Sequence, residues 1–193
     1  MLNLSTVLNY MNNLDAAIQS YKKVLQIDAD NLGLKAGVSL AIFKFLEGDF
    51  AQSRMYLIAA SKIQEKSPLE FRNDQVFHSY LLDILNWHEN KYFDSTVIIF
   101  SKSLYVIGES HALESHRLNV QNSDSNFLCV SQLIVGCKQW HLGHSNKNQY
   151  KTKFESIINS LPKYSDVLLA IGEIDCRLDS GIIKHKNKFP EKY

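Results

Sequence analysis

The chain has 193 residues, of which 45% are hydrophobic and 21% are charged, so it can bury a core and is not expected to be disordered. Its 21 basic and 20 acidic residues leave a formal net charge of +1, which argues against a basic surface for nucleic acid or anionic lipid. Its three cysteines form no tight pair, and we find neither a signal peptide nor an apolar run of about 20 residues. We therefore expect a cytoplasmic protein that binds neither nucleic acid nor a membrane.

The first 90 residues have the periodicity of amphipathic helices. Apolar residues recur at three- and four-residue steps along 14–27. The same spacing continues from Leu34 to Ile63, where only Gly48 interrupts it, and again from Gln75 to Trp87. The pattern predicts several helices, each with one apolar stripe, that pack side by side.

An internal repeat is visible within this helical half. A shift of about 36 positions superimposes Asn12 on Gly48, two residue types that suit a tight turn. The segment 13–31 matches the second helix and exit turn of the tetratricopeptide repeat (TPR), and the resemblance covers residues 2–64. It implies TPR-like helical hairpins over 1–90, with a groove that holds a peptide or protein partner. A generic helical bundle is the alternative.

After a predicted linker at 91–102, short apolar runs rich in branched residues replace the helical pattern. Runs of this length indicate parallel strands buried on both faces, and they lie at 103–108, 127–130 with 133–136, and 167–172. Helical spacing from Tyr150 to Leu161 separates the second strand from the third. This order predicts an α/β segment over 103–193, so the predicted fold class is α plus α/β with a parallel sheet.

Two polar motifs follow the first and third predicted strands. They are Gly108-Glu109-Ser110-His111 and Gly172-Glu173-Ile174-Asp175-Cys176-Arg177. Because ligands bind beyond the carboxyl ends of parallel strands, we expect both motifs at one edge of the sheet. A strand followed by Gly-acid-Ser resembles the nucleophile block of the SGNH/GDSL hydrolases, and the resemblance covers about residues 102–179.

The resemblance implies an ester hydrolase that acts on an acyl ester, such as one carried by a glycan. It implies that Ser110 is the nucleophile and that the backbone N–H groups of Ser110, Gly136 and Gly172 donate to the oxyanion. Asp175 would orient the loop. The expected substrate contacts are Glu109, His111, Glu173 and Arg177. Two departures stand out. Ile174 replaces an asparagine that would donate to the oxyanion, and no Asp-x-x-His block follows the third strand.

The missing base leaves alternatives open. The base could come from His111, from His185, from another chain or from a further segment; otherwise the chain is a non-catalytic TPR scaffold or a fragment of a longer protein. Ser110 could also serve as the N-cap of a helix that begins near His111, and Glu173, Asp175 and Arg177 could form a structural ion pair.

No cofactor and no metal are predicted from the sequence. It contains no glycine-rich phosphate-binding loop of the P-loop or dinucleotide type. Cys137 and His141 stand four residues apart and Cys176 could lie nearby, but no second spaced pair supports a zinc site.

Overall fold

The structure is a computed structural model, and it describes residues 13–27, 29–64, 72–92, 102–179 and 181–190. The chain divides into two units, Met1–Ile98 and Ile99–Tyr193. The described residues of the first unit form helices, and those of the second include a four-stranded, mostly parallel sheet. The predicted class, helices followed by an α/β segment, is therefore confirmed at this coarse level.

The described part of the first unit consists of four helices, which are α1 (Leu14–Ile27), α2 (Ala29–Glu47), α3 (Phe50–Gln64) and α4 (Arg72–Tyr92). The helical periods predicted all four. The helix α4 continues to Tyr92 and so includes the first two residues of the predicted linker. The predicted turn at Asn12 and most of the linker lie outside the described residues. No helix in the described ranges is long and apolar enough to cross a bilayer.

The apolar stripe of α1 packs against α2. The buried side chains of this contact are Ala17, Ile18, Tyr21, Val24, Ala36, Leu40 and Phe43. The turn between α2 and α3 is closed at Gly48, which has a φ of 82° and donates its N–H to the carbonyl of Phe45 at 2.9 Å. Asp49 then caps α3, because its Oδ1 accepts the N–H of Gln52 at 3.0 Å.

Small residues let α2 and α3 approach closely. A methyl group placed on Gly37 would lie 3.1 Å from the Cβ of Ala60. Ser53 is fully buried in the same contact, and its hydroxyl donates to the carbonyl of Ala41 at 2.8 Å. A buried serine is tolerated at this close contact, since its hydroxyl has a hydrogen-bond partner.

The second unit contains the strands β1 (Lys102–Gly108), β2 (Asn119–Gln121), β3 (Asn126–Leu133) and β4 (Asp166–Ala170). Its helices are α5 (Gln139–Gly143), α6 (Gln149–Ser160) and α7 (Ile182–Lys188), with 3-10 turns at Ser110–Ser115 and Ile174–Cys176. The sequence predicted β1, β3, α6 and β4. It missed β2, α5 and α7, which are short and carry no clear period, and it extended the second strand past Leu133.

The strands are ordered β2-β3-β1-β4, with β3, β1 and β4 parallel and β2 antiparallel to β3. Counted along the chain, the parallel strands therefore take the order 2-1-3, with which a doubly wound sheet of the flavodoxin type begins. On one face of the sheet, Ile107 of β1 packs with Ile134, Cys137 and Ile157. Ile157 lies on α6, so this helix covers that face. The other face packs Val106 and Cys129 against Ala112 of the first 3-10 turn.

β4 departs from the prediction that each apolar run is buried on both faces. It is an edge strand, and Val167, Leu168 and Leu169 are 40%, 51% and 56% exposed. Successive side chains of a strand point to opposite faces, so apolar surface is exposed on both sides of this edge. An apolar run shows that a segment can be buried, but only the neighbouring strands and helices decide whether it is.

Candidate functional site

The carboxyl ends of the three parallel strands lie level with one another. Gly108, the last residue of β1, pairs with Leu133 at the end of β3 and with Ala170 at the end of β4. The N–H of Ile134 donates to the carbonyl of Gly108 at 2.7 Å, and the N–H of Glu109 reaches the carbonyl of Ala170 at 3.4 Å. The loops that carry the predicted site residues therefore start from one edge of the sheet.

Ser110 is the first residue of the 3-10 turn that follows β1, and it is half-buried. Ala112 and Leu113 anchor this turn in the core. The N-cap position belongs to Glu109, whose carbonyl accepts the N–H of Ala112 at 3.0 Å. The alternative that Ser110 is the N-cap of this turn is therefore wrong.

Glu109 lies beneath the site rather than on its surface. Its side chain is 1% exposed, and its Oε1 accepts the backbone N–H of Glu173 at 3.0 Å, joining positions 64 residues apart. Its Oε2 is buried and has no hydrogen-bond partner among the described residues. Burial raises the pKa of this carboxyl. The side chain predicted to contact substrate thus ties the β1 loop to the β4 loop.

Glu173 and Arg177 form an exposed ion pair above Glu109. Arg177 donates Nε to both carboxylate oxygens at 2.8 and 3.0 Å, and Nη2 to Oε2 at 2.6 Å. This contact holds the pKa of Glu173 below its ordinary value. The Nδ1 of His111 lies 3.7 Å from Glu173 Oε2. The structure therefore brings His111, Glu173 and Arg177 together, whereas Asp175 is not part of this ion pair.

Asp175 is buried and joins the loop after β4 to the start of α5. Its Oδ2 accepts the N–H of Gln139 at 2.7 Å, and its Oδ1 has no partner within the described ranges. Gly181 packs against it so closely that a methyl group placed there would lie 2.5 Å from the Cα of Asp175. Asp175 therefore links the loop after β4 to the first residue of α5, and its predicted role in orienting the loop stays a prediction.

Gln139 is the residue at this edge that sequence reasoning missed. Its Nε2 donates to the carbonyl of Ile171 at 3.1 Å, and a methyl group placed on Gly172 would lie 2.7 Å from the same nitrogen. The available signal was its place just after Gly136, at the start of a helix that follows a strand end. That signal is weak, because many polar residues begin helices.

The two glycines predicted to donate to an oxyanion both have positive φ, 69° at Gly136 and 132° at Gly172. Added methyl groups would meet very different surroundings. At Gly136 nothing lies within 4 Å, whereas Gly172 is covered by Gln139. The open side of the edge is therefore at Gly136.

The Cys137–His141–Cys176 alternative gains no support. Cys137 is buried, and burial together with the nearby carboxylates of Glu109 and Asp175 raises its pKa to about 11, so it stays a thiol at neutral pH. The Nδ1 of His141 accepts the N–H of Lys138 at 3.0 Å, and its ring stacks on Tyr150 at 3.9 Å. Neither side chain is arranged as a metal ligand.

The raised pKa of Glu109 predicts a pH-dependent effect of Glu109→Gln. The folded state disfavours the ionised carboxylate of Glu109, and this cost is present above the folded-state pKa and absent below the ordinary pKa of 4.5. We expect the variant to unfold at higher urea concentration than the wild type at pH 7–8, with the difference shrinking as the pH falls toward about 4. Glu114→Gln, an exposed glutamate on the same turn, is the control. Equal urea-unfolding curves for Glu109→Gln and the wild type at pH 8 would contradict the burial of an ionised Glu109.

Comparisons with family models, with curated proteins and with solved structures find no match to this chain.

Proposed function

We propose that the second unit is an SGNH/GDSL-like ester hydrolase, with Ser110 as its nucleophile and an acyl ester, such as one on a glycan, as its substrate. The proposal rests on one observation: three parallel strands in the order 2-1-3 end at the same level of the sheet. That geometry supports one shared site for the loop with Ser110, the loop with Gly136 and the loop with Gly172. A crevice beyond the carboxyl ends of such strands is where open α/β sheets bind ligands.

The oxyanion that forms when a serine attacks an ester needs N–H donors. We assign this role to the backbone N–H groups of Ser110, Gly136 and Gly172. Ile174 cannot replace the asparagine of the family pattern, but the side-chain amide of Gln139 lies at Gly172. An amide nitrogen carries two hydrogens, and the one not directed to the carbonyl of Ile171 is available for this role.

A serine also needs a base. We assign it to His111, because the 3.7 Å separation between its Nδ1 and Glu173 Oε2 provides the carboxylate partner that orients an imidazole. In the proposed reaction, His111 Nε2 takes the hydroxyl proton while Ser110 Oγ bonds to the acyl carbon. Collapse of the oxyanion breaks the ester bond, and His111 returns the proton to the leaving alcohol. Water then releases the acid by the same steps and restores Ser110.

Labelling with a fluorophosphonate probe, read by intact mass, tests this proposal. We expect one adduct on the wild-type chain and on Ser145→Ala, which removes an exposed loop serine, and none on Ser110→Ala. Gln139→Met keeps the backbone N–H that binds Asp175, and we expect it to slow labelling about 10²- to 10³-fold. A folded wild-type chain that takes up no label, or a Ser110→Ala variant that labels equally, would refute the hydrolase.

A non-catalytic TPR-like scaffold is the second candidate. The close approach of α2 and α3 at Gly37 and Ala60, with α1 packed on α2, supports paired helices of the kind that form a peptide-binding groove. A folded chain that takes up no fluorophosphonate label would favour this function. The sheet unit would then have no catalytic activity, whether the chain is a scaffold or a fragment of a longer protein. A cytoplasmic setting agrees with the free state of Cys129, Cys137 and Cys176.

A further inference from the structure

Three potential metal ligands from the loops after β1 and β4 lie close together. A carboxylate oxygen of Glu109, a ring nitrogen of His111 and a carboxylate oxygen of Glu173 all lie within 4.8 Å of one another. The side chains of His111 and Glu173 are 44% and 46% exposed, whereas Glu109 is 1% exposed. The cluster is therefore open to solvent on one side and has a buried side chain as its floor.

Glu109 provides a second, independent observation. One of its oxygens accepts the N–H of Glu173, but Oε2 is buried without a hydrogen-bond partner in the part of the chain that the structure describes. A buried carboxylate oxygen without a partner is costly. The cost falls if an occupant that carries positive charge binds between Glu109, His111 and Glu173.

We propose that Glu109, His111 and Glu173 bind one divalent transition-metal cation of the Zn²⁺ class, with water as the fourth ligand. One imidazole nitrogen and two carboxylate oxygens form a donor set that Zn²⁺ accepts, and three protein ligands plus water is the arrangement of its open sites. Mg²⁺ and Ca²⁺ prefer oxygen ligands alone and more of them, so the imidazole disfavours both.

Metal binding requires the three ligand atoms, which lie within 4.8 Å of one another, to move closer together. Bond lengths of about 2.0–2.2 Å place the ligand atoms of a tetrahedral zinc site about 3.4 Å apart. The Nδ1 of His111 is already 3.7 Å from Glu173 Oε2. His111 and Glu173 are exposed enough to rotate toward the buried oxygen of Glu109.

Arg177 opposes the cation. It occupies both oxygens of Glu173 and places a positive charge beside the cluster. A carboxylate has about four lone-pair positions, so Glu173 can hold Arg177 and a metal together, but at reduced affinity. Removal of this arginine should therefore tighten metal binding. If Glu173 only formed an ion pair with Arg177 and bound no metal, the substitution would not change the affinity for metal.

An effect of bound Zn²⁺ on the labelling of Ser110 rests on the proposed hydrolase. The metal and the reaction would compete for His111, so bound Zn²⁺ would slow labelling of Ser110. Binding itself does not depend on that function. Ser110→Ala is expected to bind Zn²⁺ like the wild type, so failure of the hydrolase and failure of the metal site give different results.

Calorimetric titration of the full chain with Zn²⁺ tests the site. We expect one ion per chain, with affinity reduced at least about 10- to 100-fold in Glu109→Gln and in His111→Ala. Glu109→Gln keeps an oxygen that accepts the N–H of Glu173, so a folded variant is expected. His185→Ala is the matched control, because it removes a histidine outside the cluster, and it should bind like the wild type.

Arg177→Met is expected to raise the affinity about tenfold, because it removes a neighbouring positive charge. Absence of Zn²⁺ binding by the wild type would overturn the proposal. So would unchanged affinity in Glu109→Gln and His111→Ala, which would assign the ion to other surface groups. Unchanged or weaker binding by Arg177→Met would remove Glu173 from the site.

Discussion

Gly108→Ala is expected to lower the free energy of unfolding of the second unit by about 1–3 kcal/mol, because the added methyl group overpacks the sheet. That group would lie 2.6 Å from the carbonyl oxygen of Ala170 and 2.9 Å from the Cβ of Ala112. The first contact is with backbone, which no rotamer change can relieve. β1 and β4 would have to separate at the level from which the loops of the site begin.

Urea unfolding followed by the fluorescence of Trp140, in a Trp87→Phe background, would report on the second unit. Gly143→Ala is the matched control, because its methyl group would meet nothing within 4 Å. We expect the control to change stability by less than about 0.5 kcal/mol. Equal effects of the two substitutions would mean that β1 and β4 are not this close at Gly108.

Ile107→Ala is expected to lower the free energy of unfolding by about 2–5 kcal/mol, since it leaves a cavity in the core between sheet and helix. Ile107 is fully buried and packs with Ile134, Cys137 and Ile157. Leu169 is its register partner on β4 and belongs to the same face, but it is 56% exposed. Leu169→Ala should therefore cost less than about 1 kcal/mol.

This pair of variants compares two apolar residues that the sequence pattern treats alike. The same unfolding measurement, made on both variants, separates a buried position from an edge position. A Leu169→Ala variant that loses as much stability as Ile107→Ala would show that another element covers β4 in solution. It would then be wrong to describe β4 as an exposed edge.

The helical and strand periods predicted most elements because each depends on residues close in sequence. The stripe of α1 shows its buried face, and the turn at Gly48 marks the end of one helix and the start of the next. The apolar runs marked three strands, and the glycines near their ends marked the loops. Placement of Ser110, Gly136 and Gly172 beyond strand ends needed only that information.

Contacts between distant residues decided the rest. Glu109 and Glu173 are 64 positions apart, and no local pattern reveals that one accepts the other's N–H. The same holds for Gln139 beside Gly172, and for His111 within reach of Glu173. Sequence by itself therefore determined the order of the longer helices and of the three parallel strands, and the loops that carry polar residues. Only the tertiary structure decided that Glu109 is buried and that β4 is exposed, because burial depends on which other elements pack against a residue.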